Sequence, residues 1–235
     1  MSTLALPRAL PPTLPPLADL LSEQRRRKQN KIDTMFLAEG PTRRSLYPKH
    51  MEVIAATATS NQVAFIAANK IGKSELGCYC LATWLTGIYP DWWHGRIFPK
   101  PVTAWCVGEK NSVVRDSLQL KLLGPLAQIG TGLVRGSCIE RATRKSGLSD
   151  AIDTLHVRHV SGGTSTLRMK SYEEQRPSFQ GTDVDIVIFD EEPPLDVYVE
   201  SMLRTMVKQG IGLLLFTPLN GYSAVVSAFL DDHTG

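Results

Sequence analysis

The stretch QVAFIAANKIGKSEL at residues 62–76 leaves a chain of this kind few folds to choose from. Residues 63–67 form a short apolar run of strand composition, which stops at Ala68-Asn69-Lys70-Ile71-Gly72-Lys73-Ser74 before a helical pattern starts. Strand, tight loop and helix in that order are what a phosphate-binding loop requires. The loop's backbone N–H groups and the helix N-terminus both aim positive dipoles at an anion. In that reading Lys73 reaches the β- and γ-phosphates and the Ser74 hydroxyl takes a place on Mg²⁺. The usual pattern G-x-x-x-x-G-K-[ST] has a glycine where this chain has Ala67, so an ordinary strand-to-helix turn that happens to read Gly-Lys-Ser stays open beside it.

A second stretch supplies what such a loop lacks. Residues 184–189, VDIVIF, are an apolar run of strand length that delivers Asp190-Glu191-Glu192 at its C-terminal end. Ligands of an open parallel sheet bind at that edge, the edge that also carries the phosphate loop. Asp190 then suits the hydration shell of Mg²⁺, and Glu191 suits orienting and deprotonating an attacking water. A strand that ends in solvated acids is the competing reading, and the loop at Lys73 and Ser74 weakens it. Residues 211–216, IGLLLF, read as another buried strand and end in Thr217-Pro218-Leu219-Asn220-Gly221. A polar residue there can sit between Asp190 and the γ-phosphate and report hydrolysis; a turn opener before Pro218 is the alternative.

The rest of the chain reads as support for a doubly wound sheet. A helix over 74–87 carries Leu76, Cys80, Leu81, Trp84 and Leu85 at helical spacing with Gly87 as C-cap, and is expected to pack on the sheet. Residues 101–107 predict a strand and 112–126 an amphipathic helix, and strand alternating with helix implies an α/β fold with a mainly parallel sheet and flanking helices. Residues 154–160 and 164–170 read as strands joined by Ser161-Gly162-Gly163 in a hairpin. His156 and His159, three apart on a strand, face opposite ways and argue against a shared metal. Residues 195–207 fit a helix, and the turn at Tyr89-Pro90-Asp91-Trp92-Trp93-His94-Gly95 reads as a packing cluster rather than a base-stacking platform.

Three basic or mixed segments keep two readings each. Prolines 7, 11, 12, 15 and 16 mark a mobile or polyproline-like arm, followed over 17–30 by a helix carrying Arg25-Arg26-Arg27-Lys28, either a solvated face or a phosphate-contacting patch. Residues 35–51, with Tyr47 and His50, either fold over a nucleotide base or form a surface loop. Residues 135–145, with Arg135, Arg141, Arg144 and Lys145, are a DNA-facing loop or a solvated connector. A net charge of +3 over 235 residues proves no nucleic-acid partner, so only local charge can argue for one. Cys78, Cys80, Cys106 and Cys138 lack metal-ligand spacing and read as reduced structural thiols of a cytoplasmic protein. The sequence predicts neither a secretory leader nor a membrane span.

With these residues laid out, the chain resembles the large terminase subunit of tailed bacteriophages, the motor that packages DNA into proheads. The likeness rests on Leu46-Tyr47-Pro48-Lys49, the loop at residues 68–74, Leu85-Thr86-Gly87-Ile88-Tyr89-Pro90-Asp91-Trp92-Trp93, Phe189-Asp190-Glu191-Glu192-Pro193-Pro194 and Thr217-Pro218-Leu219-Asn220-Gly221, and covers residues 36 to 230. It implies a RecA-like ATPase of the additional-strand type over 35–235 behind an arm at 1–34. Its ATP would be cradled by Ala68, Asn69, Lys70, Ile71, Gly72, Lys73 and Ser74, with Tyr47 at the base, Ser74 and Asp190 on Mg²⁺, Glu191 as catalytic base and Thr217 in the coupling motif. Phosphate loops lacking the first glycine are usual in the family. The arginine finger it implies is placed at Arg176, with Arg168 and Arg204 behind it, because Asn69 occupies the spot where some members carry an arginine. His50 stands where an adenine-reading glutamine is expected.

The family's partners are double-stranded DNA, a portal protein, a small terminase subunit and other copies in a ring, in the cytoplasm of an infected or lysogenic bacterial host. Members continue into a nuclease domain that binds two metals. With 45 residues after Asp190, and only Asp231 and Asp232 in the tail, the sequence predicts ATPase chemistry without DNA cleavage. The alternatives are a helicase-like or other P-loop ATPase outside packaging, and a nucleotide-binding module without turnover.

Overall fold

A computed structural model describes residues 16–219 and 221–230. In chain order the main elements are Leu17–Gln29 (α1), Pro48–Ala56 (α2), Gln62–Ile66 (β1), Lys73–Thr86 (α3) and Thr103–Gly108 (β2). Asn111–Val113 (α4) and Leu120–Leu123 (α5) follow, joined by a π-helical stretch Val114–Gln119. The remainder is Ile139–Arg144 (β3), Ile152–Arg158 (β4), Thr164–Ser171 (β5), Ile186–Asp190 (β6), Leu195–Met206 (α6), Ile211–Phe216 (β7) and Ala224–Leu230 (α7). Most of the proline-rich arm, and Asp231 and Asp232 of the tail, lie outside the described residues.

The seven strands make one sheet in the order β1-β7-β6-β2-β5-β4-β3, parallel from β1 through β5 and antiparallel at β4 and β3. Strands β6 and β7 are buried at every position, which is why each reads as an unbroken apolar run. One face of the sheet packs under α3 in a core that includes Leu76, Trp84, Leu155, Leu167, Ile188 and Leu215. The other face packs under α6 and α7 around Trp105, Phe179, Phe189, Leu214 and Phe216. Ile32, 6% exposed, shares the first core with Phe36, so packing reaches back across the boundary expected at residue 34.

Helix α3 departs from the simple expectation of a helix lying on a sheet: twelve of its fourteen residues are buried. The segment 32–47 and the ring cluster of Tyr79, Trp84, Trp92 and Trp93 cover its outer side, which makes the aromatic turn at 89–95 a packing cluster as expected. A helix enclosed in this way has no polar stripe to show. The close fit centres on Gly77, where an added Cβ would lie 2.1 Å from Leu215 Cδ1 of β7 and 3.3 Å from Ile188 Cγ2 of β6. With no side chain there, α3 settles across β7 toward β6 one turn after Ser74.

Two expectations are corrected. The helix expected over 112–126 ends at Leu123, because Gly124 takes φ 82° and Pro125 follows, and its middle is a π-helical stretch rather than regular α-helix. Residues 139–144, expected in a loop or connector, form edge strand β3, which pairs with β4 from Ile139↔Val157 to Arg144↔Ile152. Glu140, Arg141 and Arg144 are exposed there, and a charged edge strand lacks the alternation that marks a strand in sequence.

Candidate functional site

Because β1, β7 and β6 are parallel, the loop after β1 and the acids after β6 emerge at the same rim of the sheet. β7 separates them. Two strand spacings of about 4.8 Å put the two strand ends roughly 10 Å apart, and α3, entering diagonally over Gly77, closes that gap. Ser74 in its first turn reaches the Asp190 carboxyl.

The loop makes its bend at Lys70 (φ 65°) and Gly72 (φ 88°), both left-handed. Ala67 needs no such freedom: it lies outside the positive-φ set, and its N–H continues the strand ladder to Phe216 O at 3.2 Å. That is the physical reason an alanine serves where the usual motif has glycine. Gly72 caps α3 without a side-chain hydrogen bond, which leaves first-turn N–H groups directed at the loop's concave side.

Lys73 is 6% exposed, and its Nζ donates to Ala67 O at 2.9 Å, Ala68 O at 2.8 Å and Thr217 Oγ1 at 2.8 Å. Thr217 Oγ1 also lies 2.7 Å from Asn69 Oδ1. The residue after β7 therefore joins the loop, and its backbone N–H faces the Glu191 carboxyl closely enough to lower its pKa. Glu191 has φ 72°, unusual for a residue with a side chain, and its N–H donates to Leu215 O at 3.0 Å. Burial first, then the neighbouring Asp190 charge, raises the Glu191 carboxyl above its ordinary value, while Lys73 and the Thr217 N–H pull it down.

Asp190, also 6% exposed, is raised mainly by burial; hydrogen bonding from Ser74 and the charges of Lys121 and Lys73 oppose this. Its Oδ1 is buried without a hydrogen-bond partner. An orphaned carboxylate oxygen beside a serine hydroxyl is the hard-oxygen donor set that Mg²⁺ prefers, so these residues fit that ion.

Tyr47 and His50 line a cavity of about 150 Å³ with Phe36, Thr42, Gly72 and Glu75, next to the start of α3. Tyr47 meets Phe36 and His50 edge to face, with ring centroids 5.5 and 5.3 Å apart. His50 is buried, lies against Gly72 and the Ile71 carbonyl, and is held below its ordinary pKa by burial. The segment 35–51 thus folds beside the loop rather than away from it.

The arginines fall elsewhere. Arg176 Nε donates to Glu200 Oε2 at 3.0 Å and Arg204 Nε to Glu200 Oε1 at 2.9 Å, both on the α6 side of the sheet. Arg168 is exposed in the middle of β5. None of the three hydrogen-bonds to the loop. In α1, Arg26 and Arg27 turn back onto Glu23 and no residue is buried, which is the solvated-face arrangement. Tyr172, which no sequence pattern singled out, donates from its hydroxyl to Glu191 O at 2.7 Å.

Strand, phosphate loop, crossing helix, acidic strand end and a further strand wedged between them define a phosphate-loop domain of the additional-strand class. The family profile described as "Terminase large subunit, T4likevirus-type, N-terminal" matches residues 64–234. The chain belongs to that family. The large terminase subunit of Salmonella phage P22 is 33% identical over 234 residues, a match covering 91% of this chain and 45% of that protein. Among solved structures, the large terminase of a thermophilic bacteriophage is 13% identical, in a match covering 81% of this chain and 38% of that one, with a TM-score of 0.49. A structure of the same phage terminase in complex with ADP is 15% identical at the same coverages, with a TM-score of 0.46. The chain spans less than half the length of these relatives. Among the described residues no helix is long and apolar enough to cross a membrane.

Proposed function

We propose that this chain binds Mg·ATP at the loop and hydrolyses it to drive double-stranded DNA into a viral prohead, as the ATPase part of a large terminase subunit. The observation that carries the reading is the Lys73–Thr217–Glu191 linkage. One lysine, one coupling residue and one carboxylate from three separate strand ends meet at the loop. The triphosphate lies along the backbone of Ala68, Asn69, Lys70, Ile71 and Gly72, displacing the Ala67 and Ala68 carbonyls as acceptors for Lys73. The base occupies the cavity beside Tyr47. Ser74 and Asp190 would hold Mg²⁺, which when bound neutralises charge on the β- and γ-phosphates. Glu191 takes a proton from the attacking water, and Thr217, tied to both Lys73 and Glu191, registers loss of the γ-phosphate. No role in the transfer within one chain is assigned to Arg176, Arg168 or Arg204. Portal protein, small subunit and further copies of the chain are the assembly partners this reading expects.

The test is phosphate release from ATP by this chain with and without magnesium. The reading expects release that stops on chelation, and a Lys73→Met variant whose affinity for a non-hydrolysable ATP analogue falls at least about tenfold, the loss of one charge-assisted contact. Tight analogue binding without magnesium-dependent release would leave a nucleotide-binding module in its place.

A second feature supports duplex DNA as the translocated partner. On the antiparallel end of the sheet, Arg141, His156 and Thr166 lie in one cross-strand row and Thr143, Thr154 and Arg168 in the next. Arg141 lies 3.2 Å from His156 rather than against a carboxylate, and Arg168 forms no ion pair among the described residues. Cations left unneutralised on a sheet face suit phosphates. Replacing Arg141 and Arg168 together by alanine is expected to weaken duplex binding about equally for all sequences and to lower the log–log salt slope by about two, as measured by titration across salt concentrations.

A further inference from the structure

Glu191 sits where a strand hands over to a loop, in a left-handed backbone that a residue with a Cβ adopts only when its surroundings impose it. Three groups hold it. Leu215 O accepts its N–H at 3.0 Å, and the Thr217 N–H reaches its carboxyl. On the third side the Tyr172 hydroxyl donates to its carbonyl at 2.7 Å and lies 3.4 Å from the carbonyl of Asp190. The first two contacts come from β7 and the residue after it. The third comes from the opposite direction, from the turn that follows β5.

That turn is anchored independently of the site. Tyr172–Glu174 is a 3-10 turn in which the Ser171 N–H donates to Glu174 Oε1 at 3.2 Å. Glu174 pairs with Lys145 and, at 3.6 Å, with Lys170. Glu173 Oε2 accepts the N–H of Asn111 at 3.0 Å, which ties the turn to the start of α4. The Tyr172 ring packs against the α6-side core. A hydroxyl carried on so constrained a turn has little freedom, so the carbonyl it grips has little either. The hydrogen bond to Glu191 O holds the peptide after Glu191, and so its ψ, while the bond from its N–H to Leu215 O holds the peptide before it, and so its φ; together they fix the backbone from which the carboxylate projects.

We infer that Tyr172 is a positioning residue for the Glu191 carboxylate, fixing through its hydroxyl the left-handed turn that presents the base to the attacking water. The inference rests on the hydrolysis proposed above. Tyr172 acts through Glu191 and touches neither substrate nor metal.

The experiment compares wild type, Tyr172→Phe and Glu191→Gln in the full chain, measuring kcat and KM for Mg·ATP, the affinity for a non-hydrolysable ATP analogue, and Tm. Phenylalanine keeps the ring's packing and removes one donor. The expected result is a kcat lowered between about tenfold and a hundredfold, the cost of misplacing a catalytic group by a fraction of an ångström to one ångström. Analogue affinity should stay within about twofold, since the loop itself is untouched. A residue that merely stabilised the fold would lower Tm and leave kcat per folded molecule as it was. If Tyr172→Phe folds poorly, 3,5-difluorotyrosine at position 172 keeps the ring and the hydroxyl while altering the donor, and a change in kcat without one in KM is expected. An unchanged kcat in the folded variants, with Glu191→Gln inactive, overturns the inference alone. Equal rates in wild type and Glu191→Gln remove the hydrolysis reading, and the inference with it.

Discussion

Glu191→Gln is expected to lower the rate of ATP hydrolysis by about 10² to 10⁴, the range general-base catalysis supplies, while leaving nucleotide binding close to wild type. The amide is isosteric and can still accept the Thr217 N–H that reaches position 191, so the linkage between the β7 end and the acidic tip survives. What disappears is the ability to take a proton. The pH dependence separates this role from a structural one. Burial, followed by the Asp190 charge, raises the Glu191 carboxyl above the usual glutamate range, and Lys73 and the Thr217 N–H only partly offset that. In the proposed function the base form is the active one. Activity should therefore fall as pH drops through a value above about 4.3, the unperturbed glutamate pKa. The residual activity of the glutamine variant should lack that acid limb. Steady-state phosphate release between pH 5 and 9 reads both effects.

Much of this arrangement is legible from residues alone, for an identifiable reason. Parallel strands covered on both faces must be apolar throughout, so residues 211–216 are bounded in sequence as they are in space, and the run before Asp190 differs only at its ends. Gly72, Lys73 and Ser74 stand out because a loop that approaches phosphate needs those residue types. Tyr172 does not stand out, because its partners are backbone carbonyls of residues 190 and 191, and a carbonyl leaves no mark on the sequence. The link from Lys73 to Thr217 spans 144 positions, so it emerges only when β7 is seen between β1 and β6. Strand β3 is hidden for the opposite reason: an exposed edge is free to carry charge, and its pairing is dictated by β4. Arg176 shows the limit of choosing by residue type. It matches the chemistry of a finger, yet its guanidinium is engaged by Glu200, an acid 24 positions away whose side chain is 3% exposed.

Asp190→Asn should separate stability from function in opposite directions. The carboxylate is buried, one of its oxygens has no partner, and burial outweighs the help it receives from Ser74, Lys121 and Lys73. A buried polar group left unsatisfied costs about 1–3 kcal/mol. Asparagine removes the charge but also the attraction of the two lysines, so a gain near the lower end is expected: a Tm increase of roughly 2–4 °C without magnesium for a chain of this size. The sign follows from proton binding. The folded-state pKa lies above the unfolded one, so the native state binds the proton more tightly than the unfolded chain. The cost of the charge is then fully present above the folded pKa and vanishes as pH falls below the unfolded value of about 3.9. The stability gap between variant and wild type should accordingly narrow on acidification, which melting curves at several pH values would show. Magnesium with nucleotide should reverse the order, since a ligand that binds only the native state raises Tm more the tighter it binds, and on the proposed function the variant lacks a charged oxygen ligand for the metal. In the proposed function a buried aspartate kept at a cost in the ligand-free protein is explained by the magnesium it would hold, and a variant no more stable than wild type at neutral pH would leave that explanation without its first term.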